Sequence, residues 1–93
     1  MATLTIPIKR EYFEQIRAGL KPEEFRLVTP YWRKRLEGRT YDLIVLTMGY
    51  PKAGDVDRRL ARKFGGVCIK TITHLHFGTD PVEVYAIDVS EAA

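Results

Sequence analysis

Only one cysteine, Cys68, stands in the 93 residues, so no disulfide within the chain can support the fold. Stability must come from packing, and a lone thiol fits a reducing compartment, which predicts a cytoplasmic protein. The sequence also lacks any apolar run near the ~20 residues that a membrane-spanning helix needs, which predicts no membrane partner. Met1-Ala2-Thr3-Leu4 contains no basic segment leading into an apolar stretch, so no signal peptide is expected. Basic residues are missing from one end. Residues 71–93 hold four acids and no Lys or Arg, whereas 1–40 carry nine Lys/Arg against five Glu, and 51–70 carry six against two acids. A net charge of only +3 thus conceals a basic side suited to an anionic partner. A solvated mixed surface is the plainer reading of the same numbers.

What is present is ordinary for a folded domain: 45% hydrophobic and 29% charged residues exclude a disordered chain. The length fits one domain over 1–93, with a single compact core and a flexible tail from 90 to 93.

The chain opens with period-two alternation. Leu4, Ile6 and Ile8 alternate with Thr3, Thr5 and Pro7, a strand with one buried face, and Pro7 predicts a free edge or an irregular end. Arg10 to Ala18 changes to helical spacing, with Phe13, Ile16 and Leu20 on one side and Gly19 as the stop. Lys21-Pro22 forces a turn, and Glu24 to Val28 alternates as a second strand. Thr29-Pro30 starts a helix over 31–37 that pairs Trp32 with Leu36. Tyr41 to Met48 reads as the most buried strand. Val56, Leu60 and Phe64 at four-residue spacing predict a short helix around 56–63. Val67–Leu75 and Val82–Val89 are β-branched runs joined by a turn-rich connector. The fold class expected is α+β: about five strands in a small mixed β-barrel, with two to three short flanking helices.

Chemistry is best placed in Gly19-Leu20-Lys21-Pro22-Glu23-Glu24-Phe25-Arg26. Lys21 sits on the turn, and Glu24 and Arg26 share one strand face. Arg can grip a phosphate or base edge with its planar fork, and Lys can hold phosphate or serve as base or nucleophile when burial lowers its pKa. Glu can accept a proton or bind a base amino group. The plainer reading is a surface pair, Glu24–Arg26 or Glu23–Lys21, contributing under ~1 kcal/mol. A second group combines Tyr50 on a Gly-Tyr-Pro turn with Lys52, the basic 31–37 helix and Arg39, as aromatic stacking within a cationic groove requires. Trp32 reads as core. Arg58, Arg59, Arg62 and Lys63 form a third group, either a phosphate-tracking arm or a solvated helix face. His74 and His76 fall on one face of a predicted strand, where they hydrogen-bond locally or face the cleft. A metal there would need a third ligand such as Asp80 or Glu83, so neither metal nor cofactor is expected. Cys68, between Val67 and Ile69, reads as a buried, inert thiol.

The series Ile8-Lys9, Tyr12-Phe13, Ile16, Gly19-x-Lys21 and Glu24-x-Arg26 resembles the ASCH domains, relatives of the PUA fold. Tyr31-Trp32-x-x-Arg35-Leu36, Gly49-Tyr50-Pro51 and His74-x-His76-Phe77-Gly78 continue the likeness, which runs to about Val89 and is nearest the short single-domain bacterial and phage type. The resemblance implies a PUA-like barrel whose cleft is lined by the Lys/Glu/Arg element, with RNA or a nucleotide as partner. It also implies a rival, a small hydrolase using Lys21 and Glu24, of ribonuclease or N4-acetylcytidine amidohydrolase type. Here Pro22 stands where the amidohydrolases usually have Thr or Ser, and Glu24 where they have Thr. The expected function is RNA or nucleotide binding by Lys21, Glu24, Arg26 and Tyr50, with His74 and His76 at the cleft and added attraction from Lys52, Arg58, Arg59 and Arg62. A third reading is a protein-interaction module working through the strand edge near Pro7.

Overall fold

A computed structural model describes residues 2–93, apart from the side chain of His76. Strand β1 (Thr3–Ile8) leads into helix α1 (Arg10–Arg17), then β2 (Glu23–Leu27), α2 (Pro30–Leu36) and β3 (Leu43–Met48). After these come β4 (Arg59–Lys63), β5 (Val67–Ile72) and β6 (Val82–Asp88), with 3-10 turns at Val56–Arg58 and Leu75–Phe77. The strands form two sheets of three, in the orders β1-β3-β4 and β2-β6-β5. β1 runs parallel to β3, with Ile6 opposite Leu46, and every other pairing is antiparallel.

The α+β class stands, but the described strands make six, in two open sheets rather than a closed barrel. Closure needs continuous ladder bonding, and the outer edge of β1 cannot supply it. Pro7 has no amide hydrogen there, and its carbonyl accepts instead from the Arg26 guanidinium at 2.8 Å. The free edge predicted from Pro7 is therefore real.

The core gathers one face of each early element. Leu4, Ile6 and Ile8 of β1 meet Phe13 and Ile16 of α1, Leu36 of α2, Ile44 and Leu46 of β3, and Tyr85 and Ile87 of β6. Trp32 packs partly buried against this cluster, as its spacing with Leu36 suggests. The most enclosed strand is β6 rather than β3, with Val84, Tyr85, Ala86 and Ile87 buried in succession. It lies at the centre of its sheet, where both faces are covered.

Helix ends follow the local chemistry. Gly19 adopts φ +78°, and the amides of Gly19 and Leu20 donate to the carbonyls of Ile16 and Gln15 at 3.1 and 2.9 Å. Such a left-handed finish favours glycine. Leu20 lies beyond this stop and is 78% exposed, so it does not join the apolar stripe of α1. Thr29 caps α2 by accepting from the Trp32 amide at 3.3 Å, with Pro30 in the first turn.

Three segments depart from expectation. The helix predicted around 56–63 is a 3-10 turn followed by β4, where half-buried Leu60 and Arg62 alternate with exposed Arg59, Ala61 and Lys63. The strand predicted over Val67–Leu75 stops at Ile72, so His74 lies outside it and position 76 falls in the following 3-10 turn. The shared strand face for the two histidines is lost, and the His76 side chain lies outside the described residues. Residues 90–93 do not trail free of the domain. The Lys63 amide donates to the Glu91 carbonyl at 3.0 Å, and Ala92 bridges Arg62.

Gly65 is the tightest glycine. A Cβ built there would lie 2.6–2.8 Å from the Asp88 side chain, closer than carbon atoms tolerate. Asp88 accepts from both the amide and hydroxyl of Ser90, so it cannot swing aside without breaking that turn. Gly65→Ala is expected to destabilise the fold by about 1–3 kcal/mol. A urea-denaturation midpoint unchanged from wild type would show that Asp88 yields at no cost.

Candidate functional site

The cleft opens between the C-terminal ends of β1 and β3, the start of α1, the 19–22 turn and β2, with a volume of about 510 Å³. That size is ordinary for a small-molecule site. Four cations, Lys9, Arg10, Lys21 and Arg26, line it against one acid, Glu24. Tyr12, Phe25, Tyr50, His74 and Phe77 supply ring surfaces, with Pro7, Ile8 and Met48 as apolar floor.

Period-two alternation on β2 sends Glu24 and Arg26 to the same side, as the sequence indicated. That side is the interior. Glu24 is only 4% exposed, whereas Leu27 on the opposite register is 40% exposed. The plain reading of Glu24–Arg26 as a surface pair is thereby corrected, since the two form a mostly buried ion pair, Nη2 to Oε2 at 2.9 Å. The Glu24 Oε1 accepts from the Phe25 amide at 3.2 Å. Arg26 Nη2 also donates to Pro7 O, its guanidinium lies 5.3 Å from the Trp32 ring centre, and its Nε is buried without a partner among the described residues. Arg26 thus ties β2 to β1 and α2.

Lys21 reaches back over the cleft wall. Its Nζ lies 4.2 Å from the Phe25 ring centre and 5.5 Å from that of Tyr12, a position in which π faces replace water around the ammonium. Burial lowers the Lys21 pKa below its usual value and Arg26 pushes the same way, while Glu24 and Glu23 oppose the shift. Burial likewise raises the Glu24 pKa, against Arg26, Lys21, the Phe25 amide and His74. Tyr12 is also raised, by burial and then by the charges of Glu11 and Glu24. The second expected pair, Glu23–Lys21, does not close as an ion pair, and Glu23 instead takes Lys70 of β5 at 2.8 Å.

The cleft holds five of the sequence-derived residues together: Lys21, Glu24, Arg26, Tyr50 and His74. Tyr50, 91% exposed, stands at the rim, and the His74 ring meets Tyr12 edge-on at 5.7 Å. Lys52, Arg58, Arg59 and Arg62 lie outside the lining. Arg58 pairs with Asp55 at 3.4 Å, Arg59 donates to the carbonyls of Pro51 and Lys52, and Arg62 reaches the Ile16 carbonyl at 3.4 Å. A strand rather than a helix carries most of this group, so its cations alternate between faces. They brace the 49–58 loop and α1 instead of forming one arm. Cys68, expected to be buried, is exposed on the edge strand β5.

Sequence reasoning missed Lys9, Arg10, Tyr12, Phe25, Met48 and Phe77 as lining residues. One signal was available for Tyr12. It stands four residues before buried Ile16 and so borders the apolar stripe of α1, half-buried against the core with its ring at the cleft. Among the described residues, no three His, Cys, Asp or Glu side chains gather as a metal site would require, and no helix is long and apolar enough to cross a membrane. Comparison with protein-family models, with curated proteins and with solved structures found no match to this chain.

Proposed function

We propose that the protein binds a nucleotide, free or as a unit of single-stranded RNA, in the cleft built around Lys21, Glu24 and Arg26. The observation that carries this reading is the pairing of an excess of cations with aromatic walls in one cavity of about 510 Å³. Phosphate requires the cations, a base requires flat apolar surface, and stacking on a ring adds about 1–3 kcal/mol per base. Tyr50 offers such a face at the rim. The likeness of the Gly-x-Lys…Glu-x-Arg element to the ASCH domains points the same way, with PUA-like ancestry as its corollary.

The test is a fluorescence-anisotropy titration of a labelled single-stranded RNA at low and moderate salt. Affinity is expected to fall as salt rises, because phosphate contacts release counterions. Lys21→Ala is expected to weaken binding about tenfold or more, the usual loss for one charge-assisted contact. No binding at low salt removes the proposal.

A second reading, a small hydrolase of RNA or a modified nucleoside, draws on one feature. Lys21 is shifted down and Glu24 up beside it, the opposed displacement expected of a base and its proton partner. Intact RNA and unaltered nucleosides after long incubation would leave binding alone.

A further inference from the structure

The buried carboxylate in a cleft otherwise rich in cations is the least expected group of the site, and its hydrogen bonding has a definite remainder. Glu24 is 4% exposed and lines the cavity. Each of its oxygens accepts one bond among the described residues: Oε2 from Arg26 at 2.9 Å and Oε1 from the Phe25 amide at 3.2 Å. An ionised carboxylate has about four acceptor positions, so roughly one remains on each oxygen. Two parallel acceptors side by side are satisfied by two adjacent N–H donors lying in one plane.

We infer that the cleft selects guanine, with Glu24 receiving the ring N1–H and the exocyclic N2 amino group, and Lys21 facing the O6 side. The inference rests on the nucleotide reading and sharpens it. The other bases present the wrong order of donors and acceptors. Adenine and cytosine set one amino donor beside a ring-nitrogen acceptor, which would oppose one carboxylate oxygen lone pair to lone pair. Uracil offers one N–H between two carbonyls, so pairing that N–H with one carboxylate oxygen sets a carbonyl against the other. Guanine alone presents two neighbouring donors followed by an acceptor. The cation needed at that acceptor is available, since Lys21 lies within electrostatic reach of Glu24 and its ammonium is held over the Phe25 ring at 4.2 Å. Arg26, itself part of the lining, holds the carboxylate in place through Nη2, which also donates to Pro7 O on the neighbouring sheet.

The experiment is calorimetric titration of the folded protein with GMP, IMP, AMP, CMP and UMP, each also run in competition with a labelled single-stranded RNA. GMP is expected to bind at least about tenfold tighter than AMP, CMP or UMP. IMP, which lacks only the 2-amino group, should lose about tenfold relative to GMP. Glu24→Gln replaces one acceptor by a donor and should abolish the preference for GMP, with thermal unfolding used to confirm that the variant folds. The GMP-to-IMP comparison needs no variant and stands even if Glu24→Gln does not fold. Equal affinity for all five nucleotides, with displacement of RNA, overturns guanine selection and leaves the nucleotide cleft intact. Strongest binding of AMP or CMP does the same, and would identify a protonated carboxyl that offers one donor and one acceptor. Absence of binding to nucleotides and RNA alike overturns both.

Discussion

Replacing Arg26 by methionine is expected to destabilise the protein by about 3 kcal/mol at neutral pH, and by much less in acid. Methionine keeps an apolar stem beside Trp32 but removes the charge that faces Glu24 at 2.9 Å. A buried pair broken at one end leaves the other charge uncompensated, which costs more than the intact pair contributed. The Arg26 side chain is 24% exposed, which places the expected cost at the lower end of the roughly 3–5 kcal/mol that breaking a buried pair costs. The pH dependence follows from the direction of the Glu24 shift. Burial has already raised its pKa above the unfolded value of 4.5, with Arg26 as the first opposing influence. In the window between the unfolded and folded values the native state binds more protons, so this group's contribution to stability falls as pH rises. Without Arg26 the folded pKa moves further up and the window widens. Urea denaturation of wild type and Arg26→Met at about pH 4 and about pH 7 should therefore show a gap that grows with pH. A gap under about 1 kcal/mol at both would mean that solvent screens the pair as it does at a surface.

That result bears on what the sequence could convey. Alternation on 24–28 correctly put Glu24 and Arg26 on one face, yet it could not say that this face is the buried one. Phe25 and Leu27 are the apolar pair by type, and the local pattern turns them inward. Long-range contacts decide otherwise. The Pro7 carbonyl, 19 residues away, and the Trp32 ring receive the Arg26 side chain, while Leu27 remains 40% exposed. The segment from 56 to 64 failed differently. Leu60 and Phe64 are four apart, a spacing that satisfies both a helical stripe and every second residue of a strand. Arg62 between them distinguishes the two, being half-buried in line with Leu60, but a charged residue gives no such signal in advance. Where chemistry is local, as at the Gly19 stop and the Thr29-Pro30 cap, the sequence indicated the structure directly. The cleft's aromatic walls come from α1, β2 and the residues after β3 and β5, so no window of sequence contains them together.

The same dependence on distant packing lets Phe13, a core residue outside the cleft lining, act on the site. It is fully buried, and with Ile16 it provides the enclosed side chains by which α1 is anchored. Eight residues are too few to hold a helix in water without such anchoring. Phe13→Ala is therefore expected to cost about 3–5 kcal/mol, a large share of the roughly 5–15 kcal/mol that keeps a domain folded. Phe13→Leu, which preserves most of the volume, should cost under about 1.5 kcal/mol. Urea-denaturation midpoints measure both, and an alanine variant within about 1 kcal/mol of wild type would show that the core collapses around the gap. The effect should reach the cleft even where the variant still folds. α1 carries Tyr12 on the face beside Phe13, and the amides of Leu20 and Lys21 both donate to the Gln15 carbonyl, at 2.9 and 3.2 Å. The turn that presents Lys21 is thus fastened to the last turns of α1 and moves with it. Faster amide exchange in 13–21 together with weakened nucleotide binding in Phe13→Ala, and neither in Phe13→Leu, is the expected pattern. Unchanged affinity in a folded alanine variant would mean that β2 alone positions Lys21.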